Sequence, residues 1–323
     1  MRAVVCRSYG TPDELVIEDV PEPVPGPGQL LVRVRAAAVN FPDVLLIAGK
    51  YQVKIPVPFT PGSELAGEVV AVGEGVSFRP GQRVFASTPI GAFAEQALLY
   101  APAVAEIPDD ADFASAAAFG VTYRTSYHAL RSIAQVTQGD WVVVLGGAGG
   151  VGLAAVDLAV AMKARVLAAA SSPEKLDLCR RRGAEAIVDY DREDLKSRIR
   201  ELTSDAARVV IDPVGGSYSE PALRGLARGG TFITLGYAAG SIPSIPLNLV
   251  LLKGITIRGM EIRTFVSDRP DDSARDVAEL AQMFAAGTIR PYIGARFPLS
   301  ETAAALRHMA ERKVLGKIVI EVA

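Results

Sequence analysis

The 323-residue chain reads as an α/β protein of two domains, a small β-rich domain followed by a doubly wound parallel sheet domain. Three observations predict this. Short β-runs separated by Pro and Gly turns fill residues 1–101. From Trp141 onward, apolar runs of strand length alternate with helical stretches at the spacing of βαβ units. A glycine-rich turn falls where the first of these strands meets the first of these helices. Length agrees, since at roughly 150 residues per domain the chain has room for about two.

In the first domain, residues 30–34, 68–72, 83–86 and 92–99 are the predicted strands. Several alternate apolar residues toward one face, and turns such as those at Pro61-Gly62 and Pro80-Gly81 lie between them. Residues 44–47 suggest a short helix. Beyond Asp112 the texture becomes Ala-rich and helical, including a helix over 120–134. The second domain has predicted strands at 141–145, 164–169, 186–188, 209–212, 231–235 and 254–258, mostly apolar as strands covered on both faces should be. Helices at 151–162 and 173–182 lie between them. After Met260 come a helix near 272–286, another opened by Ser300 and Glu301, and a terminal strand at 317–322. This tail is expected to return to the first domain, giving boundaries of 1–118, 119–258 and 259–323. No internal repeat interrupts the pattern.

Composition narrows the function. With 50% hydrophobic and 22% charged residues, the chain has ample apolar surface for sizeable cores and is not of disordered composition. Thirty-four Lys and Arg against thirty-six Asp and Glu leave a formal charge of -2, so the positive excess of a nucleic-acid or anionic-lipid binder is missing. The basic run Arg180-Arg181-Arg182 and Arg200 is interleaved with acidic residues and reads as solvated helix faces. Partners are therefore expected to be small molecules or further copies of the chain, with no nucleic acid and no membrane. Cys6 and Cys179 are the only cysteines, too few for a disulfide framework or a four-cysteine zinc lobe, and read as buried small hydrophobes. The most apolar long window, 153–170, is broken by Asp157, Lys163 and Arg165 and cannot span a bilayer. The apolar run 3–6 is too short for a signal peptide and is closed by Arg7, so the expected location is cytoplasmic.

The stretch Trp141-Val-Val-Val-Leu-Gly146-Gly147-Ala148-Gly149-Gly150-Val151-Gly152 carries the chemistry. Gly147 is expected to permit the tight turn, Gly149 to let the backbone approach a pyrophosphate, and Gly152 to let the helix pack closely on the sheet. The helix start then presents N–H groups to phosphate. This is a dinucleotide-binding turn, and the domain is a Rossmann fold. An NAD site usually adds Asp or Glu about 20 residues later, at the end of the second strand. Here that place reads Ala168-Ala169-Ala170-Ser171-Ser172. Ser172 reads as an N-cap, Pro173 as the first helical residue, and Lys175 as a cation in a first turn whose dipole disfavours it. Ser171, Ser172 and Lys175 together suit a 2′-phosphate, while Tyr190 is placed either to stack on the adenine or to touch that phosphate. The expected cofactor is NADPH. Ligands in open α/β sheets bind beyond the carboxyl ends of the strands, so Gly215, Gly216 and Gly236 should allow close approach in the loops after Asp212 and Leu235.

Motif order then extends beyond the turn. Pro61-Gly62-Ser63-Glu64, Val39-Asn40-Phe41-Pro42-Asp43, residues 146–152, Asp212-Pro213-Val214-Gly215-Gly216 and Leu235-Gly236-Tyr237 together resemble the zinc-independent, zeta-crystallin-like quinone oxidoreductases of the medium-chain dehydrogenase/reductase superfamily. The likeness covers essentially the whole chain, with one departure at Asp157, where the family usually has Gln. It implies a β-rich GroES-like catalytic domain beside the Rossmann domain. Zinc-dependent relatives place metal-binding Cys and His in the segments that here hold Asn40 and Ser63, so the resemblance implies catalysis without zinc. Glu64 makes no site alone, and His128 and His308 read as ordinary helix residues.

The resemblance further places Asn40, Asp43 and Tyr51 at the mouth of the catalytic cleft. Asn40 would bond an acceptor oxygen or the carboxamide, Tyr51 would orient a quinone, and Asp43 would cap the short helix. Thr122 resembles the residue that approaches the nicotinamide, and Tyr237, Arg263 and Lys313 lie in segments that pass near the cofactor. The edge strand 254–258 is expected to pair with its copy in a homodimer. The implied function is NADPH-dependent reduction of a quinone or similar electron-poor carbonyl. Reduction of an α,β-unsaturated carbonyl is the alternative the sequence leaves open, and an NADPH-linked or RNA-binding role is a third that the charge of -2 disfavours.

Overall fold

The computed structural model describes residues 1–322. Along the chain come β1 (Arg2–Val5), β2 (Val16–Asp19), β3 (Gln29–Val39), α1 (Phe41–Ile47), β4 (Glu64–Val72), β5 (Arg83–Ser87), β6 (Gln96–Tyr100), β7 (Val104–Glu106), α2 (Phe113–Ala117) and α3 (Gly120–Tyr127). Then follow β8 (Trp141–Leu145), α4 (Gly150–Ala161), β9 (Arg165–Ala170), α5 (Pro173–Arg181), β10 (Ala186–Asp189), α6 (Leu195–Thr203), β11 (Ala207–Asp212), α7 (Ser219–Gly225), β12 (Thr231–Thr234), α8 (Leu247–Lys253), β13 (Thr256–Gly259), α9 (Ile262–Asp268) and α10 (Pro270–Ala285). The last elements are β14 (Ile293–Pro298), α11 (Thr302–Ala310) and β15 (Lys317–Glu321).

Two units result: Met1–Val121 joined by the segment from Arg290 onward, and Thr122–Ile289. In the first, β3 is the organising strand. It pairs antiparallel with β4, β6 and β15 in a sheet ordered β14-β15-β3-β4-β5-β7. The strand expected at 30–34 runs on to Val39, because Ala36, Ala37 and Ala38 are fully buried and a register shift between Val34 and Ala36 lets it bend without losing its partner. The strand expected at 92–99 is confined to β6, and only an isolated bridge joins Ala94 to Ala3.

In the second unit all six strands are parallel, in the order β10-β9-β8-β11-β12-β13. This is the doubly wound order with its reversal between β8 and β11. Every residue of central β8 is buried, which is what an apolar strand covered on both faces requires. Asp157 on α4 is an apparent exception to that apolar layer. It is buried and takes a two-pronged bond from Arg182 (2.7 and 2.5 Å) and the Tyr123 hydroxyl (2.5 Å), tying α4 to α3 and the end of α5.

The tail returns later than expected. Residues 259–289 stay with the dinucleotide unit, and the crossing comes at Arg290. The reason is polar as well as apolar: fully buried Asp276 on α10 is held by Ser132 Oγ (2.5 Å), His128 Nδ1 (2.9 Å) and Arg275, while Glu279 accepts from Tyr127 (2.7 Å) and Arg131 (3.1 Å). His128 opens a π-helical stretch, His128–Ile133, that continues α3. Among the described residues no helix is long and apolar enough to cross a membrane.

Candidate dinucleotide site and a buried polar cluster

The glycine turn sits at the carboxyl end of β8. Its tight bend belongs to Gly146, whose φ of 59° is left-handed, rather than to Gly147 as expected. Gly147 instead lies against Ala168 and Cys179 of the layer below, and its N–H donates to Ala169 O (3.0 Å). Gly152 packs on the turn itself: a Cβ there would stand 2.1 Å from Gly146 O. Gly149 is the N-cap of α4 and has space, a Cβ meeting only Gly146 O at 3.4 Å. Gly150 and Val151 follow in the first turn, where backbone N–H groups have no intrahelical acceptor, and Ala148 is buried beneath.

At the end of β9 the residues form the expected pattern. Ser172 caps α5, its Oγ accepting Lys175 N–H (3.4 Å), and Lys175 Nζ donates to Ser171 Oγ (3.0 Å). Tyr190 N–H donates to Ala170 O (3.2 Å), so the end of β10 stands beside this turn. No carboxylate occupies the end of β9. Buried Asp212 shapes the loop after β11 by accepting the N–H groups of Val214 and Gly215 (both 2.8 Å) and the Ser219 hydroxyl (2.6 Å). Burial pushes its carboxyl up despite these bonds. The loop after β12 closes on this one: a Cβ on Gly215 would meet the Tyr237 ring at 2.8 Å, and Gly216 N–H donates to Ser241 O (3.0 Å). Gly236 faces open space to 3.6 Å.

The first unit holds a different constellation. Lys317 on β15 is buried, and its Nζ donates to Glu64 Oε1 (2.6 Å), Asn40 Oδ1 (2.6 Å) and Val39 O (3.3 Å). Asn40 Nδ2 donates to Glu64 Oε1 (3.0 Å) and Ser63 Oγ (3.3 Å), while Glu64 Oε2 accepts Val121 N–H (2.8 Å). Asn40 also caps α1, which begins at Phe41 rather than at residue 44 because Pro42 suits a first helical turn. Asp43 therefore lies inside the helix and reaches back to Asn40 N–H (2.7 Å). Its other oxygen, Oδ1, is buried without a hydrogen-bond partner. Burial raises the Asp43 carboxyl to about 7, outweighing the Asn40 bond and the Lys317 charge.

The structure thus joins Gly147, Ala148, Gly149, Gly150, Val151 and Gly152 in one turn, Ser171, Ser172, Lys175 and Tyr190 at its side, and Gly215 with Tyr237 in the neighbouring loops. Asn40 and Asp43 meet in the buried cluster, but both Asn40 amide hydrogens are spent within it rather than offered to an acceptor. Tyr51 is half-buried in the loop after α1, and Thr122 is buried at the start of α3. Arg263 is exposed on α9 and bonded to Glu261 (2.9 Å). Lys313, in the first unit, is exposed and paired with Glu311 (2.5 Å). Sequence reasoning overlooked Lys317 and dismissed Glu64. The available signal was a lone lysine opening the apolar strand Lys317-Ile-Val-Ile and a glutamate followed by Leu65-Ala66, charges 253 residues apart that have meaning only as a pair.

The comparisons with known proteins agree with this geometry. Residues 150–282 match the zinc-binding dehydrogenase family model, and residues 26–109 match the alcohol dehydrogenase GroES-like domain. A quinone oxidoreductase-like protein 2 homolog from Nematostella vectensis is 37% identical over 99% of the chain and 88% of its own length. The chain belongs to the quinone oxidoreductase family of the medium-chain dehydrogenase/reductase superfamily. A quinone oxidoreductase from Pseudomonas aeruginosa is 34% identical, with 97% of each chain covered. Among solved structures, the quinone oxidoreductase from Thermus thermophilus, crystallised also with NADPH, superposes with a TM-score of 0.85 at 32% identity over 99% of this chain and all of its own. The sheet of the first unit is the GroES-like fold of this superfamily, and that of the second is its Rossmann fold.

Proposed function

We propose that this chain is an NADPH-dependent quinone oxidoreductase that passes hydride to a quinone or similar electron-poor carbonyl compound without zinc. The observation that carries the cofactor is the end of β9, where Ser171, Ser172 and Lys175 cluster and no carboxylate stands. The cradle fits the group: Gly149 and Gly236 leave the space that a side chain would fill. NADPH, when bound, supplies the hydride from its nicotinamide. The chain's own residues bind and orient it. The first turn of α4 and residues 147–150 would hold the pyrophosphate, Lys175 with the two serines the 2′-phosphate, and the loops carrying Gly215 and Gly236 would pass close to the remainder.

Zinc independence is supported by the donor set. Asn40 Oδ1 and Glu64 Oε1 both accept from the Lys317 ammonium, a cation that already neutralises the carboxylate, and Ser63 Oγ accepts from the Asn40 amide. A homodimer is supported by β13, which ends its sheet with all four residues exposed beside the exposed Leu251 and Leu252 of α8. The test is the initial loss of nicotinamide absorbance with NADPH and NADH in parallel, against 9,10-phenanthrenequinone and 2-cyclohexenone. Quinone turnover with NADPH preferred is the expected result. Turnover of the enone alone reassigns the acceptor, and no turnover of either sinks the reading.

A further inference from the structure

The turn after β10 and the turn after β11 each bring a tyrosine to the carboxyl end of the sheet. Tyr190 follows β10, and Tyr218 stands just before α7. In the sheet, β9 and β8 lie between those two strands. The tyrosines nevertheless meet, with ring centroids 4.2 Å apart at 35°. Tyr218 is tethered at its far end, where its hydroxyl donates to Asp191 Oδ1 (2.6 Å). Asp191 is itself held in the turn, its N–H donating to Asp189 Oδ1 (3.1 Å). Tyr190 packs at the same time against the apolar core of the unit. Packing on Tyr218 and on that core therefore holds the Tyr190 ring in place while the residue stays partly exposed. Its backbone bond to Ala170 O sets Tyr190 beside the turn that carries Ser171 and Lys175.

We propose that Tyr218 is a positioning residue for cofactor specificity: anchored by Asp191, it holds Tyr190 so that the Tyr190 hydroxyl, and not its ring face, meets the 2′-phosphate of NADPH. The inference rests on the phosphate reading of Ser171, Ser172 and Lys175. A phenol hydroxyl offers one donor and two acceptor positions, so it can serve Lys175 and the phosphate together. Because NADH lacks that phosphate, the arrangement discriminates between the two cofactors, whereas stacking on the shared adenine would not.

The test measures NADPH and NADH affinity by nicotinamide fluorescence titration, with melting temperature alongside, for Tyr218→Leu, Tyr190→Phe, Tyr218→Phe and Lys175→Ala. Tyr218→Leu and Tyr190→Phe should each weaken NADPH about tenfold, the value of one hydrogen bond to a charged group, and leave NADH within about twofold. Tyr218→Phe, which keeps the ring packing and removes the bond to Asp191, should shift NADPH in the same direction by less, and it decides the matter if Tyr218→Leu does not fold. Equal losses for NADPH and NADH, or no loss for either, overturn the proposal. Lys175→Ala separates the two readings. If it leaves the NADPH preference intact, the phosphate site itself is wrong; if it abolishes the preference while the tyrosine variants do not, only the role of Tyr218 falls.

Discussion

Asp43 shows how a single side chain can couple this fold to pH. In the unfolded chain an aspartate titrates near about 4, whereas in the folded protein burial raises Asp43 to about 7. The folded state thus holds a proton that the unfolded state has released between those values. Stability from this group is complete below the lower value and is lost as pH rises through the upper one. The loss is on the order of 4 kcal/mol at most, from three units of separation. Asp43→Asn should therefore flatten the fall of melting temperature between pH 5 and pH 8, since its carbonyl oxygen still accepts the Asn40 N–H. A slope as steep as that of the parent would show that another group carries it. The same cluster marks a limit of sequence reading. Asn40 and Asp43 were recognisable from the Asn-Phe-Pro-Asp pattern, but their partner Lys317 arrives on β15, and no local pattern pairs a lysine with a glutamate so distant in the chain. Tyr218 was hidden for the same reason, its partner Tyr190 belonging to the turn of a strand separated from its own by two others in the sheet.

At the scale of elements, the strand–turn–helix of the candidate dinucleotide site was readable almost to the residue. Strand 141–145 matches β8 and helix 151–162 differs from α4 by one position, because a parallel central strand must be apolar throughout and a glycine-rich turn marks its end. The roles of individual glycines were less readable, since φ angles and close approaches are properties of the folded turn. Those approaches separate two substitutions. Gly152→Ala places a methyl 2.1 Å from the Gly146 carbonyl oxygen, which must displace backbone, so both melting temperature and NADPH binding should fall. Gly149→Ala meets only ordinary contact within the protein, so it should melt within about 1 kcal/mol of the parent, the usual cost of a small change at an open position, while NADPH affinity drops because the methyl fills the phosphate cradle. Thermal denaturation paired with fluorescence titration distinguishes them, and a Gly149→Ala protein that binds NADPH normally would remove that glycine from the site. The first unit was harder to read, as β1, β2 and β7 are strands of only four, four and three residues, too short for alternation to mark them.

For the molecule as a whole, the question is what covers the edge at β13. A parallel sheet whose last strand has four exposed residues presents unpaired backbone groups, which natural proteins pair, cover or charge. Arg258 is the one charge on the strand, and the exposed surface is otherwise apolar: Leu247, Leu251 and Leu252 on α8, which precedes it in the chain, are 76%, 82% and 61% exposed, and Ile257 on the strand itself is 38% exposed. Such a combination is costly in water and suits a second copy of the same strand, because an antiparallel meeting of two identical edges is self-complementary about a two-fold axis. The inward ladder is also known. Thr256 N–H goes to Gly230 O (3.0 Å) and Met260 N–H to Thr234 O (3.2 Å), so strand alternation turns the Ile257 N–H to the open side. Ile257→Pro removes that outward donor while leaving the bonds to β12 in place, as proline is tolerated on an edge but not within a ladder. Light scattering coupled to size-exclusion chromatography should find the parent at twice the protomer mass and the variant at the protomer mass, with NADPH still bound by both. A monomeric parent would remove the dimer, and a variant that stays dimeric would move the interface to another face.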